Sequence, residues 1–306
     1  MLSANATPRR MESLERLIYE LVEVDQGARY RALLAETIQD AEDAFTPVRE
    51  GFRSHLGYSL AGRFCGREIW YHFRWALDRN FEGRLVLLFN RGHLEEARFI
   101  ALLRLLGCTV HTRRNSGNWL KVESYRGHVG GEVDSVVTGV PLDGLQREPF
   151  LAEMKTHGQA SYDKLLNKGV KASKPEHYAQ MQGYMHHLKL RYALYMAVCK
   201  NTDHIYIEFL EVDEPSYRRF QLRVVNVVDA LDAPNRAGRK KEDYACRFCD
   251  YAGICHDREH TAFNCRTCAS SVTEDNGRWL CTRHSVDLTK EQQLKGCPQW
   301  VRFRDR

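Results

Sequence analysis

"GEVDSVVTGVPLDGLQREPFLAEMK", residues 131–155, decides how this chain is read. It contains two apolar runs of strand-like composition, and both carry charge where strands pack: Asp134 at the first, Glu153 and Lys155 in the second. Side chains alternate along a strand, so Glu153 and Lys155 share one face, and two adjacent strands bring Asp134 to the same sheet edge. Two hard oxygen ligands there suit Mg or Mn. A lysine beside such an ion steadies a hydroxide nucleophile or the charge building on a phosphate as water attacks. Taken alone, the Asp-x18-Glu-x-Lys pattern is weak, because Glu and Lys two apart on a strand face are common as a surface ion pair of little energetic worth.

The flanks favour the catalytic reading. Short strands are predicted in series at "CTVHT", "NWLKVESY", "GGEVDSVVTGV" and "PFLAEMK", separated by Gly, Asn and Pro turn signals. Helices are predicted within 11–45, at "FCGREIWYHFRWAL" and over 93–106, the last stopped by Gly107. A lysine-rich connection follows Lys155 and holds Lys164, Lys168, Lys171 and Lys174 against one acid, Asp163. Lysines so spaced neutralise phosphates in a row. The helix "PEHYAQMQGYMHHLKL" sets an apolar stripe, Tyr178, Met181, Met185 and Leu188, beside a polar one, His177, Gln180, Tyr184 and His187. Next, "RYALYMAVCK" and "HIYIEFLEV", apolar on both faces, read as central strands covered by helices. An amphipathic segment then precedes the breaker run "DAPNRAGRKK", a domain boundary. The pattern is that of an α/β fold with a mixed central sheet flanked by helices.

In order, "GEVD", "LAEMK" and Gln180-x3-Tyr184 resemble the Asp, Glu-x-Lys and Gln-x3-Tyr motifs of the RecB-like branch of the PD-(D/E)XK nucleases, which includes phage exonucleases and the iron–sulphur nucleases of the AddB and CRISPR-associated kinds. The likeness runs from about residue 56 to 256, and "RGHLEEARF" is similar to the family's upstream metal-binding helix. It implies that Asp134, Glu153 and the Met154 carbonyl bind the metal, with His93 as a further ligand and Glu96, one turn along, as its rival. It also implies that Lys155 is the catalytic lysine and that Gln180 and Tyr184 hold the substrate strand. The proline that precedes the aspartate in the family's name is absent, Val133 standing there.

Seven of the ten cysteines lie between 246 and 297. Without a signal peptide at "MLSANATPRRMESLERL" or a run of apolar residues long enough for a membrane span, the expectation is a cytoplasmic location, bacterial or in a phage-infected host. Thiols there are metal or redox ligands, not disulfides. Cys108 and Cys199 sit in apolar runs and read as inert buried thiols. Cys246-x2-Cys249-x5-Cys255 gives three ligands; the same resemblance supplies Cys65 as the fourth, around a 4Fe–4S cluster, with zinc an open alternative. Cys265-x2-Cys268-x12-Cys281-x2-His284, followed by Cys297, has zinc-ribbon spacing, the fourth ligand being Cys297 or His284. Arg266, Arg278, Trp279 and Arg283 are candidate DNA contacts on that ribbon, which serves otherwise as a structural cap.

The balance of 45 basic and 40 acidic residues excludes little by itself, because a local basic groove needs no large net charge. The expected organisation is an N-terminal helical segment at 1–55, a nuclease core at 56–233, a cysteine-rich closure at 234–260 and a zinc-ribbon-like domain at 261–306. The expected activity is Mg- or Mn-dependent hydrolysis of DNA, from an end, in recombination or end processing, with a recombination or replication protein as partner. Its rivals are a structure-selective or single-strand endonuclease, such as one in a spacer-acquisition complex, and a catalytically idle DNA-binding scaffold.

Overall fold

The computed structural model describes residues 8–45, 52–78, 81–112 and 120–304. Asn118 and Trp119, at the head of one predicted strand, lie outside these residues. Contacts divide the chain into two units, each discontinuous in sequence: Met1–Val48 with Phe81–Val122 and Glu132–Glu214, and Arg49–Asn80 with Glu123–Gly131 and Pro215–Arg306. No helix among the described residues is long and apolar enough to cross a membrane.

The first unit is α/β. Helices α1 (Glu12–Glu23), α2 (Ala28–Thr37) and α3 (Glu42–Phe45) open it, where the spacing of Leu, Ile and Val predicts one or two. Strands β2 (Thr109–Thr112), β5 (Ser135–Thr138), β6 (Phe150–His157), β7 (Tyr192–Cys199) and β8 (Ile205–Glu211) form one mixed sheet in the order β2-β5-β6-β7-β8. Only β6 and β7 run parallel; the remaining neighbours are antiparallel. A parallel pair needs a crossover, supplied here by two helices, α6 (Gln159–Ser173) and α7 (Pro175–Leu188). Phe150, Ala152 and Met154 of β6 belong to the main core with Phe99, Ile100 and Leu103 of α5 (Gly83–Leu105). Alternation therefore leaves Glu153, Lys155 and His157 on the opposite face.

Three sequence expectations are corrected here. Helix α5 begins at Gly83, ten residues before the predicted start, so His93 lies mid-helix; the end is as expected, with Gly107 at φ +85° just past it. The lysine-rich connection is itself helical, as α6. Gly169 breaks that helix with φ +67° and ψ 176°, and the Val170 N–H donates instead to Glu208 Oε2 at 2.8 Å. The single strand predicted over 130–140 is two strands, β4 (Val129–Glu132) and β5, which join different sheets. Asp134 is at the change-over between them and not inside a strand.

The second unit contains α4 (Gly66–Phe73), α8 (Glu214–Asp229, which begins at the boundary) and α9 (Lys290–Lys295). Most of a small sheet, β1 (Leu56–Gly57), β4 and β3 (Lys121–Ser124) in the order β1-β4-β3, falls within it. Its interior is aromatic and cationic: Trp70 packs edge-on to Phe303, and Tyr71 stacks on Tyr251. The tail folds as an antiparallel ribbon of β9 (Ser271–Thr273), β10 (Trp279–Cys281) and β11 (Val286–Asp287).

Candidate active site

At the C-terminal half of β6 the sheet departs from an apolar face. Glu153 is fully buried, and its register partner on β7 is Tyr195. The Lys155 ammonium lies against Glu153 Oε1 and 3.9 Å from Asp134 Oδ2, and it also donates to the Met154 carbonyl at 3.2 Å. Asp134 is held in place because its Oδ2 accepts the Met154 N–H at 3.0 Å, so the change-over residue is tied to the strand that carries the other two. The structure thus gathers Asp134, Glu153 and Lys155 at one point, from residues 21 positions apart at the extremes.

Electrostatics at this point are strained. Burial, first, and the Asp134 carboxylate push the Glu153 carboxyl up to about 7, against the pull of Lys155. The Lys155 ammonium is held above its ordinary range, because the attraction of Glu153 and Asp134 outweighs the cost of its burial. Apart from the ion pair with Lys155, neither oxygen of Glu153 accepts a hydrogen bond. A buried carboxylate with both oxygens in that condition is one that a cation satisfies. Glu96 of α5 acts on both Glu153 and Lys155, whereas His93 bonds to Glu96 through Nδ1 at 3.3 Å. Glu96 is therefore the third carboxylate whose charge is felt at this point, and His93 is its hydrogen-bond partner. Among the described residues no three His, Cys, Asp or Glu side chains converge closely enough to grip one metal ion as they stand; here the carboxylates are grouped about the ammonium.

From α7, Tyr184 faces the carboxylates: burial, then Glu153 and Asp134, raise its phenol well above the usual range. Gln180 Nε2 reaches the Tyr184 hydroxyl at 3.5 Å. The polar stripe expected on this helix is thus largely interior, with Gln180 and Tyr184 both buried. Of the four lysines predicted to line a phosphate path, Lys164 and Lys168 are exposed on α6. Lys171 is paired with Asp213 at 2.7 Å, and Lys174 donates to Ser161. Sequence reasoning missed His157 and Tyr195. His157 carried a signal, since "EMKTH" continues the same face two residues past Lys155; Tyr195 carried none, because strand register is not written in sequence.

In the second unit, Cys65, Cys246, Cys249 and Cys255 line one cavity that is partly open to solvent. Burial pushes the Cys249 thiol up to about 11 and raises Cys246 as well. The guanidinium of buried Arg67 reaches Cys255 Sγ at 4.0 Å. In the ribbon, Cys265 is acted on by Cys297, Cys268 and Cys281, its thiol standing at about 11 mainly through burial; His284 is exposed. Two ribbon residues expected to touch DNA do not face outward. Arg266 is 1% exposed, stacked 3.8 Å from the Trp75 ring centre and bonded to the Phe73 carbonyl, and Trp279 is fully buried; Arg278 and Arg283 are exposed. Cys108 and Cys199 are buried, as expected, and Cys108 is pushed up to about 11 by burial.

No protein-family model matches the chain, and no curated protein does. Among solved structures, the protein SSO0001 superposes with a TM-score of 0.38 at 15% identity, over 75% of this chain and 97% of that one. The alkaline exonuclease LHK-Exo of Laribacter hongkongensis superposes with a TM-score of 0.40 at 14% identity, over 57% of this chain and 86% of that one. Its complex with dAMP gives 0.39 at 13% identity over the same shares. Likeness at this level leaves the chemistry to be argued from the residues of the site.

Proposed function

We propose that the chain is a metal-dependent deoxyribonuclease of the PD-(D/E)XK kind, hydrolysing phosphodiester bonds from a DNA end. The observation that carries this is the grouping of Asp134, Glu153 and Lys155, with Glu96 and Tyr184 near enough for their charges to act on one another. Asp134, Glu153, the Met154 carbonyl and Glu96, or His93 in its place, are the groups to hold Mg or Mn. That ion, when bound, supplies an activated water and polarises the phosphate. Lys155 offsets the negative charge that develops on the phosphate oxygens, in a site dry enough for one ammonium to count. Tyr184 and Gln180 offer O–H and N–H donors that orient the strand, and exposed Lys164 and Lys168 extend the cationic track along α6.

The cysteine cavity fits a polynuclear cluster. Four thiols line one space, the ligand number of a 4Fe–4S cluster, with zinc the open alternative. Zinc at Cys265, Cys268, Cys281 and Cys297 rests on the ribbon and on the neighbourhood of those thiols, with Cys297 preferred over exposed His284. Both groups act in this reading as staples of the second unit.

The test is cleavage of end-labelled linear DNA and closed circular DNA with Mg, Mn or chelator, beside Glu153→Ala. Loss of linear substrate alone, abolished by chelator and by the substitution, supports an exonuclease. Cleavage of the circle shows an endonuclease, and metal-independent DNA binding without cleavage returns the protein to a scaffold. Iron content and the visible spectrum after anaerobic purification decide the cluster, with Cys65→Ser as control.

A further inference from the structure

Behind Lys155 runs a chain of polar groups that the proposed chemistry leaves without a task. Lys174 donates to the Ser161 carbonyl at 3.1 Å and to Ser161 Oγ. Ser161 Oγ lies 3.3 Å from His157 Nδ1; His157 Nε2 lies 2.8 Å from the Tyr195 hydroxyl; that hydroxyl lies 2.8 Å from His177 Nδ1. The two imidazoles are nearly parallel, 5.9 Å apart, and Tyr195 is fully buried between the helices and the sheet.

Read from Lys174, this chain has a consistent direction of donation. An ammonium is a donor and never an acceptor, so Ser161 Oγ accepts from Lys174, which leaves its own proton free for His157 Nδ1. His157 is then the Nε2–H tautomer and donates to Tyr195. A hydroxyl that accepts there gives its single proton to His177 Nδ1. His177, neutral, is left with its hydrogen on Nε2, and its side chain is partly exposed on the face of α7 that carries Gln180 and Tyr184. Burial and the charges of Lys155 and Lys174 oppose protonation of both rings, taking His157 down to about 4 and His177 to about 2. Other charged groups at this network are Lys200, which acts on His157, and Lys164 and Glu176, which act on Lys174.

We propose that the series Lys174–Ser161–His157–Tyr195–His177 locks His177 as a neutral Nε2–H donor to a phosphate oxygen of the bound strand, next to the one that meets Lys155. This rests on the nuclease reading for its ligand. A fixed neutral donor holds a phosphate without adding to the charge already concentrated at Lys155, and without a proton that comes and goes near neutral pH.

The tautomers are read by nitrogen NMR of the full chain labelled with ¹⁵N-histidine. Expected are Nε2–H for both His157 and His177, and a mixed His177 signal in Tyr195→Phe. Inorganic phosphate shifts the His177 Nε2 signal in the parent protein and not in Tyr195→Phe. In cleavage assays His177→Ala raises KM for an oligonucleotide about tenfold with kcat within about threefold, the pattern of lost uniform binding, and His177→Gln, which keeps an N–H near that place, recovers most of it. An Nδ1–H tautomer at His177, a phosphate-insensitive signal or an unchanged KM in His177→Ala overturns the proposal. Failure of the nuclease reading shows separately, as Glu153→Ala without effect on DNA, while the tautomer measurement stands or falls alone.

Discussion

Metal affinity should depend on pH in a way set by Glu153. The carboxyl is raised from an ordinary 4.5 to about 7, chiefly by burial, which corresponds to about 3 kcal/mol held against its charged form. An ion that coordinates Glu153 must displace the proton present below that value, so the apparent affinity for Mn2+ falls about tenfold per pH unit below 7, or about thirtyfold at pH 5.5. Above pH 7.5 it is flat. The same displacement releases protons, measurable by calorimetry in buffers of different ionisation enthalpy, with Mn2+ binding followed by paramagnetic resonance. In Lys155→Met the ammonium that pulls the carboxyl down is gone, so the break moves above pH 7. Stability of the metal-free protein has the matching sign. A carboxyl whose folded-state pKa is raised contributes fully below its unfolded value and loses that contribution as pH rises to about 7, a decline of about 3 kcal/mol that saturating Mn2+ reverses. Affinity independent of pH from 8 to 5.5, with no proton release, would refute the placement of Glu153 as a ligand.

Three further outcomes are expected. Gly169→Ala should lower the unfolding free energy by about 1–3 kcal/mol in urea, because φ +67° with ψ 176° admits glycine alone and a Cβ there would stand 2.7 Å from Pro8 Cγ; an unchanged midpoint contradicts the backbone account. Arg266→Ala should cost about 2–4 kcal/mol in thermal melts, since it empties a buried aromatic cage and strands the Phe73 and Ser54 carbonyls, whereas Arg283→Ala stays within about 0.5 kcal/mol. Lys164→Ala and Lys168→Ala should each reduce the salt slope of DNA binding by about 1, and Lys171→Ala by less, its charge being already matched by Asp213; equal slopes for all three would remove α6 from the DNA track.

What could be read in advance follows from which interactions are local. Strand β6 was legible because an apolar run, Phe150–Ala152, leads into Glu153-Met154-Lys155, whose two-residue spacing put Glu153 and Lys155 on one face. Strands β7 and β8 were legible for a different reason, being short runs apolar on both faces. Asp134 was placed in a strand, because what interrupts the run is a change of sheet, a tertiary event with no breaker residue to announce it. Helix α6 was hidden by Gly158 at its head, Gly169 within it and lysines that speak for solvent and not for period. The first ten residues of α5 were hidden by an unbroken apolar run, Leu85–Phe89, of which Leu87 remains 72% exposed, so no amphipathic stripe marks that turn of helix. Arg266 and Trp279 looked like surface contacts since cations and aromatics are common to nucleic-acid grooves and to cation–π cores; only burial separates the two.

Strand β6 also shows why site and core cannot be separated. Its even-numbered side chains, Phe150, Ala152 and Met154, anchor the main hydrophobic cluster, while the odd ones place a carboxylate, an ammonium and an imidazole in succession on the other face. Burying Glu153 and Lys155 together is a poor source of stability, because desolvation opposes nearly all that their attraction returns. The core on the reverse face, and the parallel pairing of all eight β6 residues with β7, hold the strand straight against that cost. An acid kept at about 7 and an ammonium with few alternatives to it are thereby available to an incoming cation and phosphate, at no cost of reorganisation when they arrive. Removing the Glu153 charge therefore has opposite consequences for the two properties: Glu153→Gln relieves the pH-dependent loss of stability and removes a proposed metal ligand, so a variant that folds more firmly above pH 7 while failing to retain Mn2+ is the outcome this division of β6 requires.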